Sequence, residues 1–275
     1  MKRISNLQLG QIDLSLTPLD RHILSTLKEF RYMKTGQIQQ LFYPPLICTP
    51  RAALTAATRN LHRLKRLGLV NHLEKKVGGV MGGSQGLIWF VTEAGSRLLL
   101  IGTEQEGTRK RLQEPSPLFL RHILAVAECY IQIATLCKKE PEMNLIKIEK
   151  EPLCWRSYDY QGRAISLRPD LYLETSSAGY NDYWFIEMDL GTESTRDILE
   201  KCKRYHQYRL SSNEQKKNGV FPVVLFVVPD QERKEKITET IKDNFRVKTT
   251  RIFLIITPEE LHKTIKNGAL PDALC

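Results

Sequence analysis

Residues 183–194 read YWFIEMDLGTES. Tyr183, Trp184, Phe185, Ile186 and Met188 supply the apolar mass of a buried β-strand, yet Glu187 and Asp189 stand two apart inside it. In a strand, residues i and i+2 leave on the same face, so two carboxylates would point side by side out of an otherwise apolar element. Such charges repel unless protons, cationic side chains or a metal ion offset them. Upstream, AISLRPDLYLE (164–174) alternates Leu167, Pro169, Leu171 and Leu173 with Arg168, Asp170, Tyr172 and Glu174. A hairpin through SSAGYND (176–182) would set Asp170 beside Glu187 and Asp189. Three carboxylates at one sheet surface suit a hard divalent cation. Mg2+ or Mn2+ is therefore expected at Asp170, Glu187 and Asp189, completed by phosphate oxygens. Such an ion polarises a phosphodiester and activates water.

The flanking segments continue the pattern. SPLFLRHILAVAECYIQIATLCKK (116–139) is an amphipathic helix with Leu120, Ile123, Leu124, Ala127, Ile131 and Ala134 on its core stripe; Glu128 on it is a further candidate ligand. LIKIEKEPLCW is strand-like. Beyond the hairpin come a charged helix at 194–209, capped by Thr192, and the apolar run VFPVVLFVV at 220–228. A helix at 231–245, a strand at 251–256 and a helix from Pro258 follow. The uninterrupted apolar run marks a central strand covered on both faces, so residues 117–268 are expected to form a mixed α/β sandwich.

The first part of the chain has a different character. Of 275 residues with net charge +10, residues 1–116 hold 17 Lys and Arg against 8 Asp and Glu, and the remainder is nearly balanced. No acidic residue lies between Phe30 and Leu73. A field of one sign over one module points to a polyanion, double-stranded DNA above all. Thr17-Pro18 opens a helix with Leu19, Ile23, Leu24 and Leu27 on one stripe. Thr35 caps a second, and Thr49-Pro50 opens a third that ends at Gly68. On the third, Leu54, Ala57, Leu61 and Leu64 are expected inward. Arg51, Thr55, Arg59 and Arg63, with His62 and Arg66 beside them, would face the major groove and its phosphates. LVNHLEKKV and GLIWFVTEAG then read as a hairpin, with Lys75 and Lys76 expected to contact DNA near the minor groove or the backbone. Residues 102–116 are polar and read as a linker.

Three helices followed by a hairpin resemble a winged helix-turn-helix over residues 15–101. The RPD at 168–170 followed by E-x-D at 187–189, within helix–hairpin–helix–strand order, resembles the PD-(D/E)XK nuclease superfamily. Pro169, Asp170 and Glu187 match that motif, while Asp189 occupies the usual lysine position. The resemblance supplies a replacement: some members carry the lysine on the next helix, which here is Lys201, one turn before Tyr205. Asp170, Glu187, Asp189 and Lys201 are thus the candidate catalytic residues. Taken whole, roughly 15–228 is similar to the replication-relaxation family of plasmids and integrative elements. The expected fold is α/β (α+β overall), a winged helix-turn-helix followed by a mixed-sheet α/β/α nuclease-like domain.

Other chemistries lack their residues. No GxxxxGKS loop is present, so no ATPase is expected, and no His cluster supports a tyrosine relaxase. Six cysteines without CxxC spacing, and a longest apolar run too short to span a bilayer, lead to the expectation of a cytoplasmic protein without a membrane partner. Two functions stay open: a divalent-metal endonuclease or nickase of a mobile element, and a non-catalytic DNA-binding accessory factor or regulator. Expected partners are double-stranded DNA, a second copy of the chain, and replication or transfer proteins.

Overall fold

Helix starts follow the capping residues. A computed structural model describes residues 4–44, 49–73, 86–102, 115–177, 179–245 and 251–268; Lys75, Lys76 and most of the expected linker lie outside them. The fold is mixed α+β and divides into two compact units, Met1–Ile131 and Gln132–Cys275.

In the first unit, α1 (Asn6–Leu14) starts at Ser5 through a reciprocal bond with Gln8. It buries Leu9 and has no apolar stripe, which is why periodicity did not reveal it. In α2 (Pro18–Phe30), Thr17 accepts the Asp20 N–H while the Asp20 carboxylate accepts that of Thr17 at 2.9 Å. Ile23, Leu24, Leu27 and Phe30 are buried, but Leu19 is exposed at the first turn. β1 (Met33–Lys34) leads into α3 (Thr35–Phe42). Thr35 is the first residue of α3 rather than its cap. Its hydroxyl donates to Leu87 O at 3.2 Å and accepts from the Trp89 indole at 2.9 Å.

The long basic helix α4 (Pro50–Arg66) is capped by Thr49, and Gly68 follows at φ +78°. β2 (Val70–His72) and β1 both pair antiparallel with β3 (Ile88–Val91), giving the order β1-β3-β2. α5 (Glu93–Leu98) follows.

The division between the units falls inside α6 (Pro117–Lys139). Leu120, Leu124, Ala127 and Ile131 lie in the core clusters of the first unit. Gln37 of α3 donates to Leu124 O at 2.9 Å and to Glu128, the further candidate ligand, at 3.0 Å, so Glu128 is engaged within the first unit. By length and composition α6 is apolar enough to cross a membrane. Val126, Cys129, Ile133 and Leu136 are buried together with Leu120, Leu124, Ala127, Ile131 and Ala134 of the expected stripe, whereas Ile123 is half-buried and Leu118 and Arg121 are exposed.

The second unit is built on a five-stranded sheet. β4 (Met143–Lys150), β7 (Leu171–Ser177) and β8 (Tyr180–Met188) are antiparallel; β8, β9 (Val223–Val227) and β10 (Phe253–Ile256) are parallel, in the order β10-β9-β8-β7-β4. The apolar run thus supplies an interior strand. AISLRPDLYLE is not one strand. Its first part is β6 (Arg163–Leu167), paired with β5 (Arg156–Tyr160) in a separate two-stranded sheet, and its second part is β7. Pro169 has no N–H for a ladder, so the chain changes sheets there. The expected alternation fails in consequence: Leu171, Tyr172 and Leu173 are all buried. α7 (Thr195–Leu210) and α9 (Gln231–Asn244) place Ile198, Cys202, Ile237 and Ile241 in the core with Phe185 and Phe226. Ser194, not Thr192, caps α7, in a reciprocal bond with Asp197. A short α8 (Asn213–Asn218) follows α7, and α10 (Leu261–Asn267) closes the described chain.

Candidate functional site

The register of β7 with β8 decides which carboxylates meet. Leu171 lies opposite Ile186, and Asp170 N donates to Ile186 O at 3.1 Å. That puts Asp170 across from Glu187, as the expected hairpin requires. The Asp170 carboxylate accepts the Met188 N–H at 2.7 Å, and both acids are buried. Glu187 points toward α7, where Lys201 Nζ is 3.1 Å from Oε2 and the Tyr205 hydroxyl donates to Oε1 at 2.5 Å. Asp170, Glu187 and Lys201 therefore come together, with Tyr205 as a further member.

Asp189 does not join them. The strand ends at Met188, and the next turn gives the Asp189 carboxylate two other partners. Gly191 N–H donates to it at 2.9 Å, and Arg233 Nε of α9 lies 2.6 Å away. Arg233 also donates to Glu193 O at 2.6 Å, while Glu193 shares Lys201 with Glu187 at 2.8 Å. The repulsion anticipated between Glu187 and Asp189 is thus offset by one cation each. Nothing in the spacing of the sequence marks Arg233, which is 44 residues from its partner.

The electrostatics follow from burial. Burial pushes the Glu187 carboxyl up to about 7; Lys201 opposes this, Asp170 adds to it, and the Tyr205 hydroxyl opposes it again. Burial alone would lower Lys201, but Glu187 and Glu193 outweigh it and hold the ammonium above its ordinary value. Lys201 consequently stays protonated near neutrality. Tyr205 is raised by burial and by Glu187, so it remains a hydroxyl donor. Burial, with Asp170 beside it, raises the Cys154 thiol to about 12, which leaves it a neutral core group.

Glu187, Lys201 and Tyr205 border a cleft of about 710 Å³, completed by Ala164–Leu167, Arg168 and Arg204. Arg204 lies three residues after Lys201, a spacing that puts both on one helix face; that was the available signal for it. Among the described residues no three His, Cys, Asp or Glu side chains are grouped to hold a metal ion. The donor set is two carboxylates, Asp170 and Glu187, beside a basic cleft. It is not the three-carboxylate arrangement expected from i, i+2 spacing, because Asp189 is held by Arg233.

In the first unit, Ala53, Ala57, Leu61 and Leu64 form the buried side of α4, and Leu54 is exposed. Arg51, Thr55, Arg59, His62 and Arg66 are exposed, at spacings of four, four, three and four along one stripe. Arg63 is not on that stripe. Its guanidinium pairs with the buried Asp20 carboxylate and bonds Asn60 at 2.8 Å. Repeated steps of four drift by about 40° each on a 3.6-residue helix, and three steps from Arg51 carry position 63 toward the core. His62 packs edge-on against the buried Trp89, centroids 5.3 Å apart.

No curated protein and no solved structure matches the chain. The model of one family, replication-relaxation, matches residues 24–224, from within α2 to β9, and so spans the basic helix, Asp170, Glu187 and Lys201. The chain belongs to the replication-relaxation family.

Proposed function

We propose that this is a DNA-binding protein serving replication or relaxation of plasmid or mobile-element DNA. In this reading the first unit is a winged helix-turn-helix that holds double-stranded DNA through α4. The second unit is a PD-(D/E)XK-like domain that acts on the phosphodiester backbone. The observation that carries it is the meeting of Asp170, Glu187 and Lys201, from residues 31 apart in sequence, with Glu187 and Lys201 bordering one basic cleft. Asp170 and Glu187 would hold one Mg2+ or Mn2+. Such an ion, when bound, supplies Lewis-acid polarisation of a phosphoryl oxygen and acidifies its water. Lys201, kept protonated by Glu187 and Glu193, donates to developing negative charge and does not act as the base. Tyr205 fixes Glu187 by its hydroxyl. Arg233 and Asp189 hold the turn after β8 and have a structural role.

A second reading has its own support. Both oxygens of Glu187 already have donors, Tyr205 and Lys201, an arrangement also suited to a domain that holds DNA without cutting it.

Supercoiled plasmid incubated with protein and Mg2+ or Mn2+ separates the two. The nuclease reading expects nicked circles from the wild type and none from Asp170→Ala or Glu187→Ala. Unchanged plasmid at protein excess, with DNA binding intact, leaves the non-catalytic reading.

A further inference from the structure

The β5–β6 hairpin pairs with no strand of the five-stranded sheet among the described residues, yet it is not loose. The Tyr158 hydroxyl of β5 donates to Arg204 O and Gln207 Oε1 of α7, both at 3.2 Å. Tyr158 also packs on Tyr208, with centroids 5.3 Å apart. This fixes β6 and α7 as two walls of the cleft above Glu187, with Arg168 from the first wall and Arg204 from the second.

The charge of these walls is one-sided. The lining carries Arg168, Lys201 and Arg204 against the single carboxylate of Glu187. Lys201 is already engaged by Glu187 and Glu193. Arg168 and Arg204 are exposed, and neither forms an ion pair among the described residues. The Arg168 guanidinium lies over the Trp155 ring, 4.6 Å from its centroid, and its Nε is 3.4 Å from Ser166 Oγ. Stacking of this kind sets the plane of the fork before a ligand arrives, which reduces the entropy lost on binding. Guanidinium forks match phosphate oxygens in pairs. Exposed arginines scattered on a surface would carry no such meaning; here two occupy opposite walls of one cleft with a carboxylate–lysine floor.

We infer that the cleft between β6 and α7 takes a single DNA strand, with Arg168 and Arg204 contacting its phosphates. About 710 Å³ lies within the range of about 300–1,000 Å³ typical of pockets for compact ligands. That volume matches a nucleotide or two of one strand. A basic groove that follows one backbone is the general form of sequence-tolerant strand binding. The inference rests on the proposed reading of the second unit as acting on DNA, but it does not require cleavage.

The test uses the full chain and fluorescence anisotropy with a labelled oligothymidylate and, separately, a labelled duplex, each over a salt series. Arg168→Ala/Arg204→Ala is expected to weaken oligothymidylate binding at least about tenfold. Its salt slope should fall by about 1.4, as for two lost single-strand phosphate contacts, while duplex affinity stays near wild type. Arg168→Lys/Arg204→Lys keeps the charges and is expected to recover part of the loss. Both arginines are exposed, and a thermal melt close to wild type establishes that the variants fold; Arg204→Glu alone, expected to give the larger loss per site, provides a second route. Oligothymidylate binding unchanged in these variants, absent from the wild type, or lost in equal proportion with duplex binding overturns the inference. Strand binding that depends on the two arginines, in a protein that nicks no plasmid, upholds the cleft and overturns the nuclease reading instead.

Discussion

Asp20 is buried at the first turn of α2 with its carboxylate bonded by the Thr17 N–H, the Thr17 hydroxyl and the Arg63 guanidinium. Burial acts to raise its pKa, but these donors, with Asn60, prevail and hold it below the ordinary value near 3.8. A depressed folded pKa adds stability that is fully present above the unfolded value and is lost as pH falls through the folded one. Asp20→Asn is therefore expected to lose less stability than wild type between pH 5 and strongly acidic conditions, measured by thermal melts; parallel acid limbs would remove Asp20 as a source. Arg63→Ala leaves a buried carboxylate short of a donor and should cost about 1–3 kcal/mol. Its folded form should keep the duplex salt slope of wild type, because Arg63 faces Asp20. A reduced slope with unchanged stability would return Arg63 to the DNA face. Position 63 was read from the sequence as basic and helical, which holds. Which side of the helix it served depended on drift over three turns and on a partner 43 residues away.

At the scale of elements, the most constrained junction in the first unit is where α5 crosses β2. Thr92 donates its hydroxyl to Gly68 O at 2.6 Å and accepts the Gly95 N–H at 3.1 Å, closing the start of α5 onto the end of α4. A Cβ added at Gly95 would stand 2.2 Å from Leu69 O and 2.8 Å from the Val91 side chain. Backbone cannot yield there without disturbing the β2–β3 pairing, so Gly95→Ala should cost about 1–3 kcal/mol. For a chain of this size that lowers Tm by roughly 4–8 °C at 2 kcal/mol; a Tm at or above wild type would show that α5 shifts freely. The strand elements teach a related lesson. The hairpin turn expected within 176–182 set Asp170 opposite Glu187, because register in an antiparallel pair follows from two strands and a turn. Period-two alternation failed across 164–174, because Pro169 ends one sheet and the alternation on its two sides belongs to different partners.

For the whole molecule, the excess positive charge sits in the first 116 residues, with the exposed stripe of α4 at its centre. Electrostatic binding of a duplex scales with the phosphates neutralised, so Arg51→Ala/Arg59→Ala should weaken duplex binding and reduce the salt slope by about 1.8. An unchanged slope would move the duplex site off α4. The sequence alone determined where helices begin, through Thr17-Pro18 and Thr49-Pro50, where α4 ends, at Gly68, and that the protein mixes helices with a sheet holding a doubly covered strand. It also determined the pairing of Asp170 with Glu187 and the placement of a basic, non-acidic helix. These depend on short-range periodicity, capping and turn geometry, which act within one or two elements. Only the tertiary structure decided that α6 contributes to the first unit, that Arg63 belongs to Asp20 and Asp189 to Arg233, and that Arg168 and Arg204 share a cleft. Ion pairing has no period: which cation reaches a buried carboxylate is set by how helices far apart in the chain pack over the sheet, and desolvation then makes that choice costly to undo.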